Sequence, residues 1–522
     1  MMRENLLAQF KSKIDQEWDV VVIGGGATGI GAALEAVTRG YKTLLVEKAD
    51  FAKSTSSKST KLVHGGVRYL AQGDVALVRE ASVERGLLLK NAPHLAHNLS
   101  FVIPAYSWFD GIFYTIGLKL YDWMAGRLSL GRSLYISRKK TIERLPTIKQ
   151  DHLSAGVLYH DGQFDDSRLA INLVQTFLEH GGIAINYMEV KAMEKDITGK
   201  LSGLKLQDNE TGEVFHVKTK GVINATGVFT DDVLQMDDPN EPRSIVASQG
   251  VHLVLDHSFL PGKTALMIPK TSDGRVLFAV PWHNKLVVGT TDTLVESISL
   301  DPVALEKEIQ FILDTADQYL TKAPKRTDVL SVWAGLRPLA APTGEKAKTK
   351  EISRNHKIMV TPSGLVSILG GKWTTYRRMG EDVVTKLEEV HQWKKTTTAT
   401  KFLPIHGFVE NTDENNPLYF YGADMPGIQA LAASEPGMSE VLSESLQIIA
   451  AQVAWAVRHE LAQQVEDVLA RRIRALFLDA HEAVRIAPKV AAIMAKELNK
   501  DTTWEQEQIQ SFNTLASTYM LS

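Results

Sequence analysis

Cysteine is absent from all 522 residues. That excludes disulfides, Cys-ligated zinc, iron–sulfur clusters, thiol redox chemistry and flavin attachment through sulfur. An excess of one charge is lacking too. The 58 basic residues face 61 acidic ones, and a net −3 gives no electrostatic reason to expect nucleic acid. No apolar run is long enough to span a membrane; the best, residues 109–125, is cut by Asp110, Lys119 and Asp122. Residues 1–17 mix Arg3, Glu4, Lys11, Lys13, Asp15 and Glu17 without a long apolar core, so no signal peptide is read there. The expected location is cytoplasmic, or peripheral on the cytoplasmic face of the cell membrane.

What is present suits a folded, globular chain: 44% hydrophobic and 23% charged residues are ordinary for such proteins. The length exceeds what one core serves, so two or three domains are expected. The densest signal is Val20-Val21-Val22-Ile23-Gly24-Gly25-Gly26-Ala27-Thr28-Gly29. An apolar strand runs into G-x-G-x-x-G, a helical run follows over 30–39 and closes at Gly40, and a second strand over 43–46 ends at Glu47. Strand, glycines, helix, strand and acid in that order mark a dinucleotide site. The glycines let backbone N–H groups approach a pyrophosphate, and the helix N-terminus favours that anion. Glu47, with Lys48 beside it, is placed at an adenosine ribose; its charge disfavours NADP. The motif does not choose between FAD and NAD.

Hydroxyls, lysines and paired glycines gather next, from Ser54 to Leu70. Such a loop suits phosphates and ribityl oxygens, with Gly65-Gly66 lying against a flat ring; by composition alone an exposed Ser/Lys loop is an equal reading. The middle of the chain is β-rich. Runs at 275–280 and 285–290 flank Pro281-Trp282-His283-Asn284 as a hairpin, and 222–227 and 365–369 read as buried strands. A helix is expected at about 375–391, a polar linker at 394–400, and a largely helical tail with helices over 445–460 and 465–478. Asp479 with Glu482, and Thr502 with Glu505, fit capping boxes. Segment 109–125 has apolar residues at helical spacing, aromatic rims at Trp108, Tyr114, Tyr121 and Trp123, and flanking charges at Lys119 and Arg127. It reads as a core helix or as a helix dipping into a bilayer surface.

The blocks T-S-S-K-S-T-K-L-V-H-G-G-V-R-Y-L, N-A-T-G, A-G-L-R-P-L, S-R and G-G-K-W-T-T-Y-R follow the glycine motif in that order. Together they closely resemble the FAD-dependent sn-glycerol-3-phosphate dehydrogenases over about residues 18–390, and more loosely beyond. The resemblance implies an α/β fold with a Rossmann-like FAD-binding domain of the D-amino-acid-oxidase type, an inserted β-rich substrate domain and a C-terminal α-helical domain. The implied segments are 1–85, 155–245 and 350–395 for FAD, 86–154 and 246–349 for substrate, and 401–522 for the helical domain. It implies non-covalent FAD held by Gly24, Gly26, Ala27, Thr28, Gly29, Glu47, Lys48, Thr55, Ser56, Ser57, Ser59, Lys61, Leu62, His64, Gly65, Gly66, Ala225, Thr226, Gly227, Gly370, Gly371, Lys372 and Thr374. Glycerol 3-phosphate would lose its C2 hydride to flavin N5 and leave as dihydroxyacetone phosphate, with electrons passing to a membrane quinone or, in an oxidase branch, to oxygen.

A phosphate near −2 calls for paired cations, and arginine offers a fork that lysine lacks. The residues matching the family's substrate positions are Arg68 with Tyr69, Arg337, Arg354 and Lys372, with Pro338 expected to fix a turn after Arg337. His252 matches the position proposed to take the O2 proton; its bland alternative is a core histidine bonded to backbone. Arg337 or Lys372 could share that role by lowering the pKa of the hydroxyl. Trp373 stands where family members often carry leucine, adding bulk near the ring. No long insertion lies between Arg337 and Arg354, which leans towards a quinone-linked enzyme, and residues 109–127 then offer a shallow membrane contact. A homodimer is one oligomeric form the resemblance allows; no metal or nucleic acid is expected. The competing readings are an amine or amino-acid oxidase of the same fold, which Arg68-Tyr69 could imitate, and a nucleotide-binding or tRNA-modifying scaffold without redox turnover.

Overall fold

The computed structural model describes residues 2–65, 75–125, 130–340 and 356–521. Gly66, Arg68, Tyr69, Arg127 and Arg354 lie outside them.

Two sheets organise the chain. The first runs in the order Lys357–Val360, Val366–Leu369, Val214–Asn224, Trp18–Ile23, Thr43–Val46, Ile183–Ile185, with Leu201–Asp208 and Met188–Lys195 extending it from Val214–Asn224. Its central strands are parallel, Val22 facing Leu45 on one side and Ile223 on the other. A parallel strand is buried on both faces, hence the unbroken apolar run 20–23. The period of two then sorts the side chains. Val20 and Val22 join a core cluster with helices Ala27–Thr38, Asp166–Glu179 and Tyr376–Val390, whereas Val21 and Ile23 pack under the antiparallel strands and helix Arg3–Lys11. Helices Ala27–Thr38 and Tyr376–Val390 touch at glycines: a Cβ on Gly380 would lie 2.5 Å from the Gly31 carbonyl oxygen.

The second sheet runs Thr293–Val295, Ile245–Asp256, Lys285–Gly289, Leu277–Trp282, Thr264–Ile268, Ala96–Ala105, Ala155–Phe164, Leu62–Val63, with Val329–Ala340 also pairing Ile245–Asp256 and Leu134–Ser137 pairing Ala155–Phe164. The hairpin expected near 281–284 is present, but its turn is only His283-Asn284, both at positive φ; Pro281 and Trp282 belong to the strand. Likewise Pro338 makes no turn. It continues Val329–Ala340, opposite Ala247.

The tail is helical, with two departures. Residues 441–449 form a small hairpin, so the helix expected from 445 begins at Ala450. The stretch expected as one helix over 465–478 is a π-helical segment, Asp467–Arg472, and a short helix, Ala475–Leu478, broken by Arg474 in the left-handed region. Asp479 caps helix Ala480–Leu498 by accepting from the Glu482 N–H, as its sequence pattern suggests. The last helix, Thr502–Ser517, is capped by Asp501 rather than Thr502. The polar stretch 394–400 is pinned down, Thr396 bonding Glu388 while Thr398 and Thr400 bond Glu35.

Candidate active site

A cavity of about 240 Å³ opens at the carboxyl ends of the parallel strands, lined by Gly24, Gly26, Ala27, Thr28, Glu47, Lys48, Thr55, Ser56, Ala225, Thr226, Gly227, Gly370, Gly371 and Lys372 among others. Its floor is a backbone crossing that tolerates no side chains. Gly24 has φ +109, and a Cβ on it would sit 2.7 Å from the Ala225 carbonyl oxygen. A Cβ on Gly29 would sit 1.8 Å from the Gly24 carbonyl oxygen. Gly29 therefore permits helix–strand contact without lining the cavity. Gly26 offers no side-chain cap to helix Ala27–Thr38; instead the Ala27 N–H donates to Ser56 Oγ at 2.9 Å, from the loop across the cavity. Glu47 accepts from the Gly25 and Ala49 N–H groups at 2.6 and 2.9 Å. Burial raises its pKa, only partly offset by those two bonds. Lys48 lays its ammonium 4.1 Å from the centre of the Phe229 ring.

A second cavity, of about 290 Å³, is walled by strands of the second sheet and by the loops around residues 55–60 and 371–374, and shares Thr55, Pro338, Gly371, Lys372 and Trp373 with the first. The two therefore meet at the Gly370-Gly371-Lys372-Trp373 ledge. Both glycines there have positive φ, and the Trp373 indole N–H donates to the Ser56 carbonyl at 2.7 Å, fixing the ring at the junction.

Strand alternation aims His252 and Arg337 into this second cavity. Gly250 and His252 share one face of Ile245–Asp256, while Trp333, Gly335 and Arg337 share one face of Val329–Ala340, with His252 paired to Trp333 and Ser248 to Arg337. The His252 ring stacks on Trp333, centroids 5.3 Å apart, and its Nε2 meets the Thr60 hydroxyl at 2.9 Å; its Nδ1 is buried without a hydrogen-bond partner. Burial first, then the charges of Arg337 and Lys61, push its pKa well below the ordinary histidine value. Two glycines make room. A Cβ on Gly289 would lie 2.4 Å from the imidazole, and one on Gly250 2.2 Å from the Arg337 guanidinium. Arg337 donates to the Thr291 carbonyl at 3.1 Å and the Thr290 hydroxyl at 3.0 Å, with Asp292 at 3.7 Å. Asp292 in turn accepts from Ser248.

Of the other expected residues, Ser59, Leu62, His64 and Thr374 line the second cavity, while Ser57, Lys61 and Gly65 line neither. Lys61 is fully buried with its ammonium 2.8 Å from both oxygens of Asp166 and 2.7 Å from the Ser57 carbonyl, so it braces the loop from behind. Gly65 donates to Asp161, itself on the cavity wall. Lys58 was missed by sequence reading. It is buried on the cavity wall, with its ammonium 2.8 Å from the Leu300 carbonyl and 3.1 Å from Asp301. Only its place between the expected Ser57 and Ser59 could have flagged it. The apolar wall of Phe101, Tyr159, Met267, Val276 and Phe278 was also missed, since a strand pattern does not say which buried side chains border a void.

The residues fit FAD: a side-chain-free crossing at a helix N-terminus for a pyrophosphate, a carboxylate at the strand end for a ribose, and a glycine ledge joining that cavity to a second one for a ring. Residues 19–377 match the family model for FAD-dependent oxidoreductases, and residues 366–508 that for the C-terminal domain of alpha-glycerophosphate oxidase. A mitochondrial glycerol-3-phosphate dehydrogenase of Arabidopsis thaliana is 39% identical, the alignment covering 97% of this chain and 86% of the relative. The chain belongs to the FAD-dependent glycerol-3-phosphate dehydrogenase family. The human mitochondrial member is 39% identical over 95% of this chain and 72% of its own. The glycerol-3-phosphate dehydrogenase of Bacillus halodurans, solved with FAD, superposes with a TM-score of 0.81 at 27% identity, covering 99% of this chain and 98% of that one. The family's layout of an FAD-binding α/β unit, a second sheet and a helical C-terminal domain is the architecture described above.

Proposed function

We propose that the protein oxidises sn-glycerol 3-phosphate to dihydroxyacetone phosphate and delivers the electrons to a quinone. The observation that carries this reading is the second cavity, where a neutral histidine and an anchored arginine face a space that meets the nucleotide cavity at Lys372. When bound, FAD supplies the two-electron acceptor, at N5, for the hydride leaving C2. Arg337, pre-set by Thr290 and Thr291, takes the phosphate. His252, whose imidazole stays neutral, accepts the O2 proton as the carbonyl forms. Lys372 supplies positive charge at the junction, where negative charge develops. Trp373 closes the ledge against water. In this division of labour the first sheet serves the cofactor and the second serves the substrate, the second taking strands Leu62–Val63 and Ala155–Phe164 from segments 1–85 and 155–245.

No helix among the described residues is long and apolar enough to cross a membrane. Helix Trp108–Ala125 instead exposes Phe109, Ile112, Phe113, Ile116 and Leu120, a pattern that favours the surface-dipping reading over the core helix. Its docking on a bilayer would bring a lipid-soluble quinone to the protein.

The test is anaerobic stopped-flow. Glycerol 3-phosphate should bleach the flavin, and a quinone analogue should reoxidise it faster than oxygen does. Bleaching by sarcosine or a D-amino acid, but not by glycerol 3-phosphate, would reject the substrate; faster reoxidation by oxygen would reject the acceptor.

A further inference from the structure

We propose that Arg275 is a second guanidinium at the anion end of the substrate cavity, gripping through Nη1 the phosphate that Arg337 faces. This rests on the reading of that cavity as a glycerol 3-phosphate site. Arg275 lines the same cavity as Arg337. It ends a tight turn, 271–275, closed by the Thr271 N–H donating to the Arg275 carbonyl at 3.1 Å and the Arg275 N–H donating to Thr271 Oγ1 at 3.0 Å. Strand Leu277–Trp282 follows and runs antiparallel to Lys285–Gly289, with Phe278 opposite Gly289. Val276, Thr290, Thr291 and Asp292 line this cavity too, and the last three hold Arg337.

The side chain is fixed before any ligand arrives. Asp273 accepts from its Nε and pairs with Nη2, and the guanidinium lies 5.3 Å from the centre of the Phe311 ring. Nη1 is left buried with no hydrogen-bond partner. A buried, charged N–H without an acceptor is unfavourable, and a phosphate oxygen in the cavity that Arg275 shares with Arg337 is an acceptor that suits both. Each arginine has its own aspartate, Asp273 or Asp292, so neither depends on the ligand for its placement. A dianion between two forks is held in one orientation, which a single arginine does not ensure.

The experiment uses the FAD-loaded protein and two probes, inorganic phosphate followed by flavin absorbance and glycerol 3-phosphate followed by anaerobic flavin reduction. Arg275→Gln should weaken phosphate binding and raise the substrate KM by about 10- to 100-fold while leaving the limiting reduction rate within about threefold of wild type. Arg275→Lys keeps the charge and can still pair with Asp273 but loses the fork, and should weaken both by at least about threefold. Wild-type phosphate affinity and KM in Arg275→Gln would overturn the proposal. So would a lowered reduction rate at unchanged KM. If Arg275→Gln does not retain FAD, the lysine variant decides on the same terms, wild-type values again overturning it. Failure of glycerol 3-phosphate to reduce the wild-type flavin would sink the functional reading instead, and the phosphate titrations would still decide Arg275.

Discussion

His252, the proposed base, is a buried side chain on the wall of the second cavity. Its ring is held by the Trp333 stack and the Thr60 hydroxyl, and burial with the nearby cations of Arg337 and Lys61 keeps it unprotonated. An ordinary histidine would lose half its basic form as pH falls to about 6.5. Because the folded pKa lies well below that value, His252 keeps its basic form as pH falls through it. The limiting rate of anaerobic flavin reduction, at saturating glycerol 3-phosphate, should therefore stay flat from about pH 8 to about pH 6. His252→Gln should lower that rate by about 10²- to 10⁴-fold at every pH. Stopped-flow reduction across this range checks both, and a limb centred on the ordinary histidine value would remove His252 as the base. At this scale the sequence is legible wherever a residue type is forced by its neighbours. Gly24 and Gly29 are forced by atoms 2.7 and 1.8 Å away, and the fingerprint shows them. Lys61 and Lys58 are not separable that way: they sit three residues apart in one block, yet Lys61 is sealed against Asp166 away from both cavities while Lys58 lines the second one, its ammonium tied to Leu300 and Asp301.

Helix Trp108–Ala125 poses the question at the scale of an element. Leu118 and Thr115 face inward, whereas Phe109, Phe113 and Ile116 are 67%, 73% and 65% exposed, too apolar a face for solvent alone. Burying one such side chain in a bilayer surface is worth about 1.5–3 kcal/mol. The double variant Phe113→Glu with Ile116→Glu should thus cut co-sedimentation with phosphatidylglycerol–phosphatidylcholine vesicles by about 100-fold or more. Reduction by soluble glycerol 3-phosphate should be unchanged. Vesicle binding equal to wild type would refute the membrane contact. Periodicity had allowed a core helix as well, because it reports that one face is apolar and not what covers it. The same gap explains the tail. Residues 445–449 carry apolar spacing compatible with a helix, yet Ile449 pairs with Val441 in a hairpin. Thr502 and Asp501 are both good caps, and only the backbone selects Asp501, whose carboxylate accepts from the Trp504 N–H at 2.9 Å.

The helical tail and the cofactor loop are tied together by buried charge, and that tie belongs to the whole molecule. Asp50, just past the strand that carries Glu47, receives Arg471 at 2.5 Å and Arg472 at 2.6 Å, from 421 and 422 residues away. No local pattern could have shown that pairing. Burial would raise the Asp50 pKa, but Arg472 and then Arg471 outweigh it and hold the carboxyl well below its usual range. Being depressed, it contributes to stability at all pH above the unfolded carboxylate value and loses that contribution only in acid. The clasp continues outward. Arg471 also pairs with Glu466, Glu466 with Lys53, and Lys53 lines the nucleotide cavity. Removing Asp50 takes the carboxylate from the buried Arg472 guanidinium, while Arg471 keeps Glu466 and Asp467; breaking such a buried pair costs about 3–5 kcal/mol. Asp50→Ala should therefore lower the thermal midpoint, with the helical circular-dichroism signal and the release of fluorescent flavin moving down together. Asp50→Asn, which keeps the shape and part of the hydrogen bonding, should shift both by less. If the helical signal melts earlier while flavin release stays at the wild-type temperature, the tail is only packed against the cofactor loop and does not hold it.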